Sequence, residues 1–214
     1  MTSDAKNTLP TLWTHTAQEL LDAAGSRRAT PTGGSVTAIS GVFGLALLTL
    51  AVNLTLSKKD PPAELTDHLD TLRSFQSRLQ ALADEDASLY ADFMKQARQN
   101  DGGPDDKLRR QTREVPLQLA RELAQALALT TDLRPLVHRS VISDIDAGAA
   151  LLQGALQAAL ITLASNLGSS DQDQNDTDSQ TAELWTAWQE LQDQRQQALA
   201  QLSEYQEAER SDRQ

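Results

Sequence analysis

Apolar positions along this chain follow two patterns, a one-sided stripe and a run that is apolar on every side. The stripe comes first, in "THTAQELLDAAGS": Thr16 with Glu19 forms a capping box, and Gly25 ends a short helix. After Pro61–Pro62, Leu65, Leu69, Leu72, Leu79 and Leu82 recur at core spacing and predict a long amphipathic helix to about Gln99. The break "NDGGPDD" then sets Pro104 at the next helix start. That helix is expected to run to about Thr131, kinked or restarted near Pro116. A last stripe, Leu184, Trp188, Leu191, Ala198, Leu202 and Tyr205, predicts a helix from about Thr181.

The second pattern occupies Ser35–Ser57 and Ala147–Ser170. Between Thr32 and Ser57 there is no charged residue. The later segment follows Pro135 and is predicted to start at a Ser143 cap, with Asp144 and Asp146 in its first turn. Either segment is long enough to cross a bilayer. However, Asn53, Gln153, Gln157 and Asn166 would lie unpaired in lipid, and no aromatic belt flanks either run. The expectation is therefore two central helices buried in protein, with no membrane. A single bundle does not easily cover two such rods, and a homodimer stacking them across a two-fold axis would complete the burial.

The predicted fold class is all-α: one antiparallel helical domain over residues 1–214 with two central small-residue-rich helices. Its ends, about 1–10 and 208–214, and the polar loop 168–180 are expected to be flexible. Composition agrees, because aromatics are only 4% of 214 residues and the core must be built from Leu, Ala, Val and Ile. The absence of cysteine excludes disulfides, thiolate metal sites and Cys nucleophiles, and the three histidines are scattered, so no metal is expected. A net charge of −11 repels nucleic acid and anionic membranes. No signal-peptide pattern opens the chain, and the expected location is the cytoplasm.

The ordered motifs carry a resemblance. Pro31 with Gly33–Gly34, then Asn53-Leu54-Thr55, Lys58-Lys59, Ile142-Ser143-Asp144 and Asn166-Leu167 follow one another as in the cyclodeaminase/cyclohydrolase family. "DEDASLYADFMKQA" resembles that family's Asp-rich helix with an aromatic and a Met, here Asp86, Tyr90 and Met94, and "REVPLQLARELAQAL" resembles its Pro-bearing helix. The likeness runs from about Trp13 to Leu202. It implies an all-helical dimer that acts on tetrahydrofolate derivatives as substrate, with no cofactor and no metal. Three features depart from the family pattern: Thr32 replaces the first Gly of a triplet, Thr162 stands where an Asn is usual, and a Leu-Pro-Lys is replaced by "RQNDGGPDD".

Opening a methenyl bridge needs a placed water, a base and a proton donor, and cyclodeamination needs similar geometry. Asp144 is the expected base. It heads a face on which Gly148, Ala155, Ala159, Thr162 and Asn166 follow at helical steps, a wall for a flat pterin. The alternative role for Asp144 is that of a first-turn dipole partner. The turn Gly33, Gly34 and Ser35 could offer backbone N–H groups, or could simply let helices pack closely. Asn53, expected to be buried, could hold the pterin edge or make a cross-helix bond, with Asn166 also binding substrate. Lys58 and Lys59, and Arg27 with Arg28, could meet the folate's glutamate tail.

The resemblance implies methenyltetrahydrofolate cyclohydrolase first, because "AISG" and "NLTLSKK" are similar to the cyclohydrolase pattern. Formiminotetrahydrofolate cyclodeaminase and a non-catalytic dimeric helical module remain open.

Overall fold

The computed structural model describes residues 11–27, 30–99, 103–168 and 179–211. Arg28 and most of the loop and termini expected to be flexible lie outside them. Six α-helices follow in order: α1 (Ala17–Ala24), α2 (Gly33–Leu56), α3 (Leu65–Gln99), α4 (Asp106–Leu133), α5 (Ile142–Gly168) and α6 (Ser179–Ser211), with no strand among the described residues. The Thr16–Glu19 capping box opens α1 as the sequence predicts. Thr32 caps α2 by accepting from the Ser35 N–H, and Asp105 caps α4 by accepting from Leu108. Gly103, with φ +74°, supplies the left-handed residue at the turn before α4.

Two expectations change. The α4 helix runs through Pro116 without interruption. Ser143 is not a cap: a short 3-10 turn, Arg139–Val141, leads straight into α5 at Ile142, so Ser143 already lies in the first turn.

Pairwise contacts show that α2 to α5 form an up-down-up-down ring. Ser35 meets Ala83, Arg78 meets Glu122 and Arg134 meets Asp146, so each helix is antiparallel to the next. The ring closes where α2 meets α5. A Cβ on Gly44 would fall 2.9 Å from the Gly148 carbonyl, and one on Gly148 would fall 2.9 Å from that of Gly44. Only two glycines allow the backbones to touch there. The Gly41–Ala155 contact fixes the antiparallel sense. The α6 helix lies outside this ring against α4 and α5, with Leu184, Leu191, Ala198 and Leu202 buried and Trp188 Nε1 donating to the Leu160 carbonyl.

The central rods are half covered. Leu45, Leu48, Ala51 and Val52 of α2, with Leu152, Leu156, Leu160 and Leu163 of α5, are fully buried. Their other faces leave an apolar stripe exposed: Val36, Phe43, Leu50 and Leu54 on α2, and Leu151 and Ile161 on α5. By length and hydropathy both helices could also span a membrane.

Candidate active site: a cleft at one end of the α2–α5 pair

A cleft of about 390 Å³ opens where the start of α2, the later half of α3, the first third of α4 and the end of α5 meet. Thr32, Gly33 and Gly34 form its floor. Asp86, Leu89, Tyr90 and Phe93 come from α3, Thr112 and Pro116 from α4, and Thr162 and Asn166 from α5. The α3 residues recur at i, i+3, i+4 and i+7, one helical face.

Asp86 is the carboxylate of this cleft. The Thr32 hydroxyl donates to its Oδ2, and the Ser35 hydroxyl lies 3.0 Å from that same oxygen and 3.0 Å from the Ala83 carbonyl. Gly34 makes room, since a Cβ there would sit 2.7 Å from Asp86 Cγ. The positive end of the α2 dipole thus meets a carboxylate whose orientation two hydroxyls fix. Thr32, a departure from the family pattern, serves here as both helix cap and carboxylate partner.

Two residues earlier on α3, Asp84 does something different. It accepts the Leu12 N–H at 2.8 Å and the Thr11 hydroxyl at 2.6 Å, pinning the N-terminal strap with Leu12 buried beneath.

The predicted site residues fall into two groups. Gly33, Gly34 and Asn166 line the cleft. Ser35 is fully buried behind it, and its hydroxyl reaches Asp86 and Ala83. Asn53, Lys58 and Lys59 are exposed at the opposite end of α2, so the expectation of a buried Asn53 amide does not hold. Asp144 is there too: 22 residues of α5 separate it from Asn166, about 33 Å at 1.5 Å per residue. Within one chain, Asp144 and Asn166 cannot face the same ring, because the helical wall predicted between them is longer than the ring. Arg27 is exposed after α1.

Sequence reasoning gave Asp86, Tyr90, Phe93, Thr112 and Pro116 no role in the site. A signal was present: the α3 stripe Leu72, Leu79, Leu82 continues into Asp86, and an acid on a core-facing stripe calls for a partner.

A cleft of this size, with a carboxylate, a side-chain amide and two aromatic rings, suits a flat polar heterocycle. A family profile described as formiminotransferase-cyclodeaminase matches residues 16–185. The chain belongs to that family. Formimidoyltransferase-cyclodeaminase of Rattus norvegicus is 28% identical over 175 residues, 70% of this chain and 31% of that protein. The Mus musculus counterpart is 27% identical over the same shares. This chain thus spans about a third of the length of the curated relatives it matches. The crystal structure of formiminotetrahydrofolate cyclodeaminase from Thermotoga maritima superposes with TM-score 0.77 at 20% identity, covering 90% of this chain and 96% of that one. The shared fold is the helical bundle described above.

Proposed function

We propose that the chain is a formiminotetrahydrofolate cyclodeaminase. The observation that carries this reading is the Asp86 carboxylate, held by Thr32 and Ser35 at the start of α2 and lining one ring-sized cleft with Asn166. The likeness to proteins named for cyclodeamination puts this activity ahead of the cyclohydrolase favoured by sequence alone.

In the reaction, one folate nitrogen attacks the formimino carbon as its own N–H proton leaves. Ammonia departs once its nitrogen has gained a proton, and the methenyl bridge remains. A single carboxylate can accept the first proton and return it to the leaving nitrogen. Asp86 has that role here, while Tyr90 and Phe93 supply an apolar wall for the ring and Asn166 a polar edge.

Ammonia release from formiminotetrahydrofolate, with methenyl absorbance rising in step, tests the assignment. Should methenyltetrahydrofolate instead lose absorbance faster than in buffer without ammonia appearing, the cyclohydrolase reading replaces it. Neither signal leaves the non-catalytic module.

The same reading includes a second copy of the chain in the cytoplasm. A stripe with Phe43 at 62% and Ile161 at 61% exposure is apolar enough to need a cover. Antiparallel stacking of α2 on its symmetry mate would bury it. That stacking also brings Asn53, Lys58 and Lys59 of the partner subunit toward the cleft, where no lining residue among the described ones is cationic. An anionic glutamate tail would find its counter-charge there. Because the chain lacks cysteine, Leu47→Cys, near the middle of the stripe, should yield a disulfide-linked dimer on mild oxidation. Asp193→Cys on α6 should not. Equal linking at both positions would argue against this interface.

A further inference from the structure

Asp86, Tyr90 and Phe93 stand at i, i+4 and i+7 on the face of α3 that lines the cleft. Charge in that lining is one-sided. Asp86 is its carboxylate, and no lining residue among the described ones is cationic. The start of α2 favours an anion, and one is already built in, because Thr32 and Ser35 hold the Asp86 carboxylate there. An anionic guest would meet that charge, whereas a cationic guest would pair with it.

The two rings act in the same sense, since the face of an aromatic ring is electron-rich and attracts a cation. Elsewhere this chain already uses rings in that way. The Arg78 guanidinium lies 4.7 Å from the Phe75 ring centre, and that of Arg134 lies 5.6 Å from the ring centre of Tyr205. Tyr90 and Phe93 carry no such guanidinium among the described residues, and Tyr90 is 41% exposed, so a guest can reach its ring.

We propose that Tyr90 and Phe93 determine specificity by charge: together with Asp86 they select an amidinium over an uncharged guest of the same shape. The identity of that guest rests on the cyclodeaminase reading above. A formimino group on nitrogen is an amidine, a strong base that is protonated at neutral pH. The methenyl bridge made from it is an amidinium whose charge is spread over N–C–N. A formyl group on the same nitrogen is an uncharged amide. A planar N–C–N unit can lie against the Tyr90 ring with its edge toward Asp86, about 6 Å away along α3. Formylated folates lack the charge and are kept from occupying the site.

The test compares two probes that contain no folate. The first, 1,3-diphenylimidazolinium, is a permanent cation with the N–C–N unit of the methenyl bridge. The second, 1,3-diphenylimidazolidin-2-one, is a neutral cyclic urea of nearly the same shape. Neither has a glutamate tail, so the pair reads the ring end of the cleft alone. In calorimetric titration at one salt concentration, wild type should prefer the cation about a hundredfold, with about fivefold from each ring and the rest from Asp86. Tyr90→Leu and Phe93→Leu should each lower that preference about fivefold with binding of the urea unchanged, and Tyr90→Phe should preserve it.

If wild type binds the urea as tightly as the imidazolinium, or binds neither, the inference is overturned. Equal weakening of both probes in the leucine variants overturns it too, because a ring that only shapes the cleft does not sense charge. Charge preference without ammonia release from formiminotetrahydrofolate supports the selection and overturns the cyclodeaminase reading. Ammonia release without charge preference does the reverse.

Discussion

Gly34 and Asp86 occupy one another's space: the carboxylate of one fills the place where a side chain on the other would begin, 2.7 Å from Asp86 Cγ. Gly34→Ala should therefore push Asp86 off its Thr32 and Ser35 partners while leaving α2 helical, since Ala favours helix more than Gly. Ammonia release is expected to fall at least about a hundredfold, the usual worth of a placed proton-transfer group. Unchanged activity with unchanged circular dichroism would remove Asp86 from the mechanism.

Asp86→Asn alone should abolish turnover. Mixing it with a Lys58→Gln, Lys59→Gln chain, allowing subunits to exchange, should restore about a quarter of wild-type activity if each cleft borrows its cations from the other copy. Half the dimers are then hybrids, and each hybrid has one intact site. If the mixture stays as inactive as its parts, the two ends of α2 do not cooperate across subunits.

Arg134 is 4% exposed and pairs with Asp146 at 2.8 Å, with its guanidinium also 5.6 Å from the Tyr205 ring centre. Asp146→Asn removes the Asp146 charge from beside that buried cation. A loss of ~2–3 kcal/mol is expected in urea unfolding, below the fully buried case because Asp146 is 26% exposed.

Backbone donation from Leu108, then the Gln96 side chain, hold the Asp105 carboxyl below the usual aspartate range. A depressed folded-state value means the cap contributes above the ordinary aspartate pKa of about 3.9 and is lost as pH falls through the lower folded value. Amide exchange at the first turn of α4 should therefore accelerate below pH about 4. Asp105→Asn, which keeps an acceptor without a proton to gain, should flatten that rise.

Thr49 Oγ1 is buried with no hydrogen-bond partner among the described residues. Thr49→Val keeps the branched shape and removes the stranded hydroxyl. The melting temperature should rise, by an amount worth about 1 kcal/mol.

The bundle was legible because its signals are local. The Pro61–Pro62 pair, the Thr16–Glu19 box, leucine spacing and the "NDGGPDD" break each act within a few residues. The site was legible only in part, because it is made by pairing. Which end of α2 meets which end of α5 depends on the crossing at Gly44 and Gly148, and nothing in either segment states that sense. Asp144 drew attention as the first acid of an apolar helix. Asp86 sat among Asp84 and Glu85, and only packing shows that Asp84 anchors the strap while Asp86 faces the cleft. Pro116 read as a helix breaker because its cost is intrinsic, whereas its compensation, Asn166 Nδ2 donating to the Thr112 carbonyl, arrives from another helix.

The meeting of α2 and α5 at two bare glycines has a further effect. With no side chain to give way, that joint cannot flex by rotamer change, and the floor and back of the cleft are effectively one casting. Any adjustment to a larger or smaller guest must come from the Tyr90, Phe93 and Thr112 side, where flexible groups line the opening. Relatives tuned to other guests should differ on α3 and α4 long before they differ at that joint.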